Sequence, residues 1–130
     1  MANGTIAFDT LQTSGQISGT AKSVDTDYVV SGSGKVWVNI NQSSFSIDDS
    51  FNIASAVDES TGTITHNLSS SMVNSEYCVL GYYTPANNNS GSDNFANALT
   101  TSSYETRHYE NGTQYDVAYR SSAVHGDLGS

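Results

Sequence analysis

Cysteine, proline and basic residues are scarce in this 130-residue chain, and each scarcity limits what the protein does. The one cysteine, Cys78, cannot form an internal disulfide, and its place in the apolar run YCVL predicts a buried thiol without a catalytic role. Four Lys and Arg residues against thirteen Asp and Glu give a formal charge of −9. Because nucleic acids and anionic lipids bind clustered cations, we expect no nucleic-acid binding.

Long apolar runs and targeting signals are also missing. No stretch approaches the roughly 20 apolar residues of a membrane-spanning helix, so no membrane insertion is expected. The start of the chain, MANGT, lacks the basic region and apolar run of a secretion signal. We therefore expect the protein to be made in a cytoplasm and to leave it only within a larger particle.

The composition that remains favours strands and turns. Ser, Thr and Asn supply more than a third of the residues, and strong helix formers are few. Eight Tyr, four Phe and one Trp provide apolar faces that disordered chains usually lack. The length suits one domain with one core.

Alternation of apolar and polar residues recurs in short segments separated by turn signals. The segments read as extended are residues 4–11, 27–30, 35–40, 45–47, 51–57, 63–68, 76–83, 103–109, 113–120 and 121–128. Eight to ten short strands at this spacing predict an all-β fold, an antiparallel β-sandwich or a jelly-roll-like barrel.

Several connections carry specific turn chemistry. Asp48-Asp49-Ser50 predicts a hairpin turn, as does the polar stretch 58–62, and residues 86–94 predict the longest exposed loop. Asn111-Gly112 between two alternating runs is the strongest hairpin signal, because a type I′ turn needs positive φ at both central residues. The bulk on both faces of residues 76–83 predicts a strand in the middle of a sheet.

The first part of the chain differs from the rest. Residues 12–23 contain too little apolar surface for a packed element, so residues 1–23 predict an extended anchoring arm and residues 24–130 a single sandwich domain. The apolar positions expected to anchor the arm are Ile6, Phe8, Leu11 and Ile17. Such an arm could add a strand to the sheet edge of a neighbouring subunit.

Aromatic residues are the main candidates for contacts. Trp37 points away from the aliphatic row of Val36, Val38 and Ile40, so it lies either on a second covered face or at an interface. The other candidates for an interface or receptor contact are Tyr82, Tyr83, Asn88, Asn89, Tyr104, Tyr109 and Tyr115. Ordinary cross-strand packing is the alternative for the tyrosines.

No constellation of catalytic residues is evident, so we expect a protein that is not an enzyme and uses no cofactor. The acid pairs Asp25/Asp27, Asp48/Asp49 and Asp58/Glu59 suit solvated turns, or calcium ligands where two turns meet, but none completes an EF-hand loop. His66, His108 and His125 are too far apart for a local zinc motif, although copies of one histidine could meet on a symmetry axis. A Ser, His125, Asp127 trio lacks a nucleophile elbow.

Residues 4–41, GTIAFDTLQTSGQISGTAKSVDTDYVVSGSGKVWVNIN, carry a resemblance that extends through IDDSFNIAS, TGTIT and VHGDL at residues 47–55, 61–65 and 124–128. These pieces, which span most of the chain, resemble tail-fibre-like and other virion structural proteins of cyanophages and marine tailed phages. The resemblance implies a β-rich fold, a homotrimer, attachment to other virion proteins of the capsid or tail, and a place in the virion. It brings no catalytic residues.

Three functions remain open at this point. The first is a trimeric fibre or appendage protein that touches a host surface glycan or protein, with residues 85–97 and nearby tyrosines at its tip. The second is a capsid decoration protein that stabilises the major capsid lattice. The third is a glycan-cleaving fibre enzyme, which would need two carboxylates at a set separation in a cleft.

Overall fold

The computed structural model describes residues 10–12, 23–25, 32–84 and 92–129, with side chains for residues 32–81 and 96–129. The chain divides into two units, Met1–Ser33 and Gly34–Ser130. Its strands are β1 (Thr10–Gln12), β2 (Ser23–Asp25), β3 (Val36–Asn41), β4 (Ser46–Phe51), β5 (Ile53–Ser60), β6 (Thr63–Leu68), β7 (Cys78–Thr84), β8 (Ser92–Asn97), β9 (Ser103–Glu110), β10 (Thr113–Gln114) and β11 (Tyr119–His125).

Every described strand pairing is antiparallel, and the described residues contain no helix element. In the second unit, β4, β3, β11 and β7 form a four-stranded sheet in that order. The order β10, β9, β6, β5, with β8 also paired to β9, forms a five-stranded sheet. The prediction of an all-β antiparallel fold is confirmed, and the arrangement is sandwich-like.

The first unit contains one described pairing, between β1 and β2. Leu11 lies opposite Val24, and Gln12 lies opposite Ser23. Of the anchoring positions, Leu11 is therefore in a strand, whereas Ile6, Phe8 and Ile17 lie outside the described residues. The predicted strand at 27–30 also lies outside them, and the division into an arm of residues 1–23 and a domain of residues 24–130 stays a prediction.

The core forms where the inner faces of the two larger sheets meet. In β3 the side chains at positions 36, 38 and 40 are at most 1% exposed, while those of Trp37 and Asn39 face outward. They belong to two clusters of buried residues, Val36, Leu68, Met72, Tyr77, Tyr104 and Val124, and Val38, Ile40 and Ile64. Each fully buried aliphatic side chain stabilises the fold by about 1.5–3 kcal/mol.

Two predicted hairpins are confirmed. Asn111 and Gly112 both have positive φ, 49° and 77°, and they join β9 to β10 with Glu110 opposite Thr113, as a type I′ turn requires. The polar stretch 58–62 also reverses the chain, but its turn is limited to Thr61 and Gly62. The acidic residues of that stretch belong to the end of β5.

The predicted turn at Asp48-Asp49-Ser50 is wrong. These residues lie inside β4, where Asp49 pairs with Asn39 and Ser50 with Val38. The register shifts at the next step, between Asn39 and Ile40. The chain turns instead at residues 42–45 and at Asn52, which has a φ of 59°. Cross-strand pairing along β3 thus overrides the turn preference of two consecutive aspartates.

The predicted positions of residues 76–83 and of Cys78 are also wrong. Strand β7 lies at the end of the four-stranded sheet, paired with β11, and Cys78 is exposed. Leu80 is 56% exposed on the same strand. The run has apolar side chains on both faces, but one face is buried and the other is exposed to solvent. The pattern in the sequence is the same as that of a strand covered on both faces.

The predicted continuous strand 113–120 is broken, because the chain crosses there from one sheet to the other. β10 ends at Gln114, and β11 begins at Tyr119 in the four-stranded sheet. Asp116, in the crossover, accepts hydrogen bonds from the Gly62 amide and from Gln42 Nε2, both at 2.6 Å. One carboxylate thus ties the crossover to turns of both sheets.

Gly62 is the tightest point of this junction. It has a φ of 73°, and a Cβ there would lie 2.7 Å from the His108 carbonyl oxygen and 2.8 Å from the Tyr115 amide nitrogen. Its own carbonyl accepts hydrogen bonds from the His108 amide at 2.8 Å and from Arg120 Nη1 at 3.1 Å. Only glycine combines this backbone conformation with so close an approach.

Replacing Gly62 by alanine should therefore destabilise the fold strongly. Gly112→Ala is the matched control, because Gly112 has a similar φ of 77° but nothing within 4 Å of the added Cβ. We expect losses in the free energy of unfolding of about 1 kcal/mol for Gly112→Ala and about 3 kcal/mol or more for Gly62→Ala, measured by urea denaturation. Equal losses in the two variants would contradict the close packing at Gly62.

Candidate interaction surface

An apolar row crosses the outer face of the four-stranded sheet. Trp37 in β3 lies opposite Phe51 in β4 on one side and opposite Ala123 in β11 on the other, and Ala123 lies opposite Leu80 in β7. We call these four residues, one from each strand, the apolar row. Three of them are large and exposed, with Phe51 at 52%, Trp37 at 38% and Leu80 at 56%.

Alternation along β3 and β11 directs Trp37 and Ala123 to this face. In β3 and β11 the inner positions are occupied by buried residues, with burial patterns that alternate strictly. Trp37 and Ala123 stand between those positions, so the pleat directs them outward. The alternation that buries every second residue of β3 and β11 in the core therefore also exposes Trp37 and Ala123 on the outer face.

A groove lies along the row between Trp37 and Leu80. Its volume is about 320 Å³, and its floor includes Ala123 and Gly81. Because Ala123 carries only a methyl group between the bulky side chains of Trp37 and Leu80, the surface is hollow here. The row therefore combines a raised aromatic half, Phe51 and Trp37, with a hollow half formed by Ala123 and Leu80.

Polar side chains border the row. The next outward position of β3 is Asn39, whose Oδ1 accepts a hydrogen bond from the Ser121 hydroxyl across the strand pair. On the opposite border His125 lies opposite Cys78. A mainly apolar strip with a polar border is typical of surfaces that contact another macromolecule.

A second group of chemically capable side chains lies in the core. His66 Nε2 is 2.9 Å from the Thr106 hydroxyl, and the His66 ring stacks on Tyr104 with centroids 4.6 Å apart. The Tyr104 hydroxyl is 2.8 Å from that of Ser122. Burial lowers the pKa of His66 to about 3 and raises that of Tyr104 to about 12.

Arg120 brings a positive charge into the same core. It is 3% exposed, and its Nη1 donates to the carbonyl oxygens of Gly62 and Thr106 at 3.1 and 3.2 Å. Within the described part of the chain, its Nε and Nη2 have no hydrogen-bond partner. Burial lowers the Arg120 pKa to about 10, and the nearby carboxylates of Asp116 and Asp58 offset part of that effect.

These buried groups serve the core and do not line a surface. His66, His108, Tyr104 and Arg120 are at most 3% exposed, so a solute cannot reach them in the folded chain. Burial lowers the pKa of His108 as well, with the Arg120 charge acting in the same direction. Both histidines are therefore neutral near pH 7, which avoids placing two further charges beside Arg120.

The predicted contact residues lie in different environments in the structure. Trp37 lies in the apolar row, whereas the prediction of an interface or receptor contact for Tyr104 is wrong, because this side chain is fully buried. Tyr115 is 43% exposed, and Tyr109 lines a shallow depression on the other sheet with Arg107. Tyr82 and Tyr83 belong to β7, but their side chains are not described, and Asn88 and Asn89 lie outside the described residues.

Sequence reasoning missed three members of the row. Phe51, Leu80 and Ala123 each read as ordinary strand residues, because their faces depend on pairing partners far away in the chain. One indication of the row was present in the sequence. Trp37 alternates with Val36 and Val38, so it had to lie on the opposite face of the sheet, beside residues of the two adjacent strands. The register that supplies those neighbours is a tertiary feature.

The described part of the chain contains no cluster of metal ligands and no membrane-spanning helix. Within residues 32–84 and 92–129 and the two short strands, no three His, Cys, Asp or Glu residues cluster as metal ligands. The described residues contain no helix that is long and apolar enough to cross a bilayer. Comparisons of the chain with protein-family models, curated proteins and solved structures found no match.

The buried His66 predicts a specific loss of stability in acid. Its pKa is about 3 when folded and about 6.5 when unfolded, so the unfolded chain binds the extra proton between these values. Stability should fall by about 1.4 kcal/mol per pH unit below pH 6.5 on account of this one group. Urea unfolding of the wild type and of His66→Gln at pH 6.5 and 4.5 should differ in pH dependence by about 2 kcal/mol.

The control is His125→Gln, which changes a histidine on the outer face and leaves His66 in place. Its stability should decrease with acid as steeply as that of the wild type. A wild-type pH dependence that His66→Gln leaves unchanged would contradict the burial of a neutral His66.

Proposed function

We propose that this chain is a non-enzymatic structural protein of a tailed-phage virion, a homotrimeric fibre or appendage protein assembled in the host cytoplasm. The observation that carries the proposal is the apolar row on the outer face of the four-stranded sheet. The resemblance of residues 4–41 to phage virion proteins supports the assignment to a phage particle. The sandwich-like fold agrees with the β-rich architecture that this resemblance implies.

The row supports a role in binding because exposed apolar side chains of this size are otherwise unfavourable. Phe51, Trp37 and Leu80 are adjacent in register, so their exposed surfaces form one patch across the sheet. Soluble monomers rarely keep such patches unless they are contact sites. Aromatic residues are also the side chains most enriched in the centres of protein interfaces.

The positions of the titratable side chains also support a role in binding. Three of the titratable side chains, His66, His108 and Arg120, are enclosed in the core. Among the described residues, the exposed groove is lined by Trp37, Leu80 and small residues without a titratable group. Contact with other virion proteins, or with a glycan or protein of the host surface, suits this chemistry better than turnover.

Quantitative mass spectrometry of purified virions tests the proposal. A phage whose genome encodes the chain should carry it in the particle, in a number of copies that matches its fibres or appendages. A copy number close to that of the major capsid protein would instead assign it to capsid decoration. Absence from the purified particle, with the protein present in the infected cell, would contradict both roles.

Removal of residues 1–23 tests the anchoring arm. We expect the shortened chain to be absent from virions while it retains the β-rich circular dichroism spectrum of the second unit, because the arm supplies attachment and the sandwich its own core. Purified particles are assayed for the protein by immunoblot, with the full-length chain supplied from the same plasmid as the control. Full occupancy by the shortened chain would rule out the arm as the anchor.

A further inference from the structure

We infer that the apolar row is the surface through which two copies of this chain associate, the aromatic half of each copy packing on the hollow half of the other. The inference does not rest on the number of copies in the proposed function, because one flat face pairs two copies. It goes beyond that proposal because it assigns the contact to one face and to four residues. Three observations support other copies of the chain as the occupant.

The first observation is the distribution of charge. The chain carries a formal charge of −9, so two copies repel each other unless they meet through a face with few carboxylates. Strands β3, β7 and β11 contain no acidic residue, and the acidic residues of β4 are Asp48 and Asp49. The strands of the other sheet contain more acidic residues, two on β5, two on β9 and one on β8. Depletion of charge is the compositional sign of an interface centre.

The second observation is the shape of the row. Phe51 and Trp37 form its raised half on β4 and β3, whereas the groove beside Leu80 lies above Ala123 and Gly81 on β11 and β7. A large ring on one half and a hollow of about 320 Å³ on the other make the face complementary to itself. Two copies that face each other across a twofold axis can therefore each place their aromatic half on the hollow half of the other, which is an isologous contact.

The third observation is the size of the face. Its central strands have six and seven residues. At about 3.4 Å per residue and about 4.8 Å between strands, four strands present a face of roughly 20 by 19 Å. Two such faces in contact bury roughly 1,000 Å² in total once side-chain relief is counted, the lower end for a specific interface. The area suits association that depends on protein concentration.

The face contains two natural probes. Trp37 is the one tryptophan of the chain, and Cys78, beside the row on β7, is the one cysteine and is exposed. In an associated protein, Trp37 fluorescence should shift to shorter wavelength, and alkylation of Cys78 by a maleimide should slow. Both changes should follow the oligomer fraction measured by sedimentation as the concentration of the full-length chain rises.

The test compares two matched substitutions. Leu80→Asp places a carboxylate in the row, whereas Val57→Asp places one on β5 of the other sheet, at a side chain that is 41% exposed. We expect Leu80→Asp to weaken association about tenfold or more and to restore fast alkylation of Cys78, while Val57→Asp behaves as the wild type. Phe51→Ser, at the other end of the row, should weaken association in the same way.

Urea unfolding of each variant accompanies these measurements, so that loss of association is assigned only to variants that remain folded. Equal association of the Leu80→Asp, Phe51→Ser and wild-type chains would place the contact elsewhere and overturn the inference. A protein that stays monomeric with a reactive Cys78 at every concentration would also overturn the inference. A monomer whose Cys78 is protected at every concentration would overturn it as well, because the chain itself would then cover the row. Detection in purified virions is independent of these results, so the proposed function can stand where this inference fails.

Discussion

The packing of the inner faces of β3 and β11 against β6 and β9 is the constraint on which the rest of the structure depends. Because side chains alternate along a strand, burial of Val36, Val38 and Val124 fixes which residues face outward. A slip of one residue would bring Trp37 and Asn39 into the core and remove the aliphatic row from it. The outer face is therefore as strictly determined as the inner one, although it buries nothing within the described chain.

The two sheets are also joined by polar contacts around Gly62. Asp116 holds the Gly62 amide, and Arg120 reaches the Gly62 carbonyl from the other sheet. Burying a guanidinium is costly, since two of its nitrogens lack a partner among the described residues. The same guanidinium nitrogen also donates a hydrogen bond to the Thr106 carbonyl, so the arrangement joins both sheets. It fixes the crossover between β10 and β11, and with it the register of the strand that contributes Ala123 to the apolar row.

Much of the fold could be predicted from the sequence, because the relevant signals are local. Alternation in residues 35–40 and the Asn111-Gly112 turn each depend on a few adjacent residues, and both are confirmed. The errors share a cause: Asp48 and Asp49 in β4, the edge position of β7 and the exposure of Cys78 all depend on which distant strand lies alongside. Tyr104, a candidate for an interface or receptor contact, is buried for the same reason, since it contacts His66 and Ser122 in the assembled sandwich.

The sequence by itself determined that the chain is built of short antiparallel strands, that its surface is acidic and that Trp37 stands opposite the aliphatic row. Only the tertiary structure decided that Trp37 has Phe51, Ala123 and Leu80 as neighbours on one face. Alternation along a strand is a property of consecutive residues, whereas the alignment of strands depends on pairing between residues as far apart as 37 and 123. The contact surface is made by that alignment, so it exists only in the folded chain.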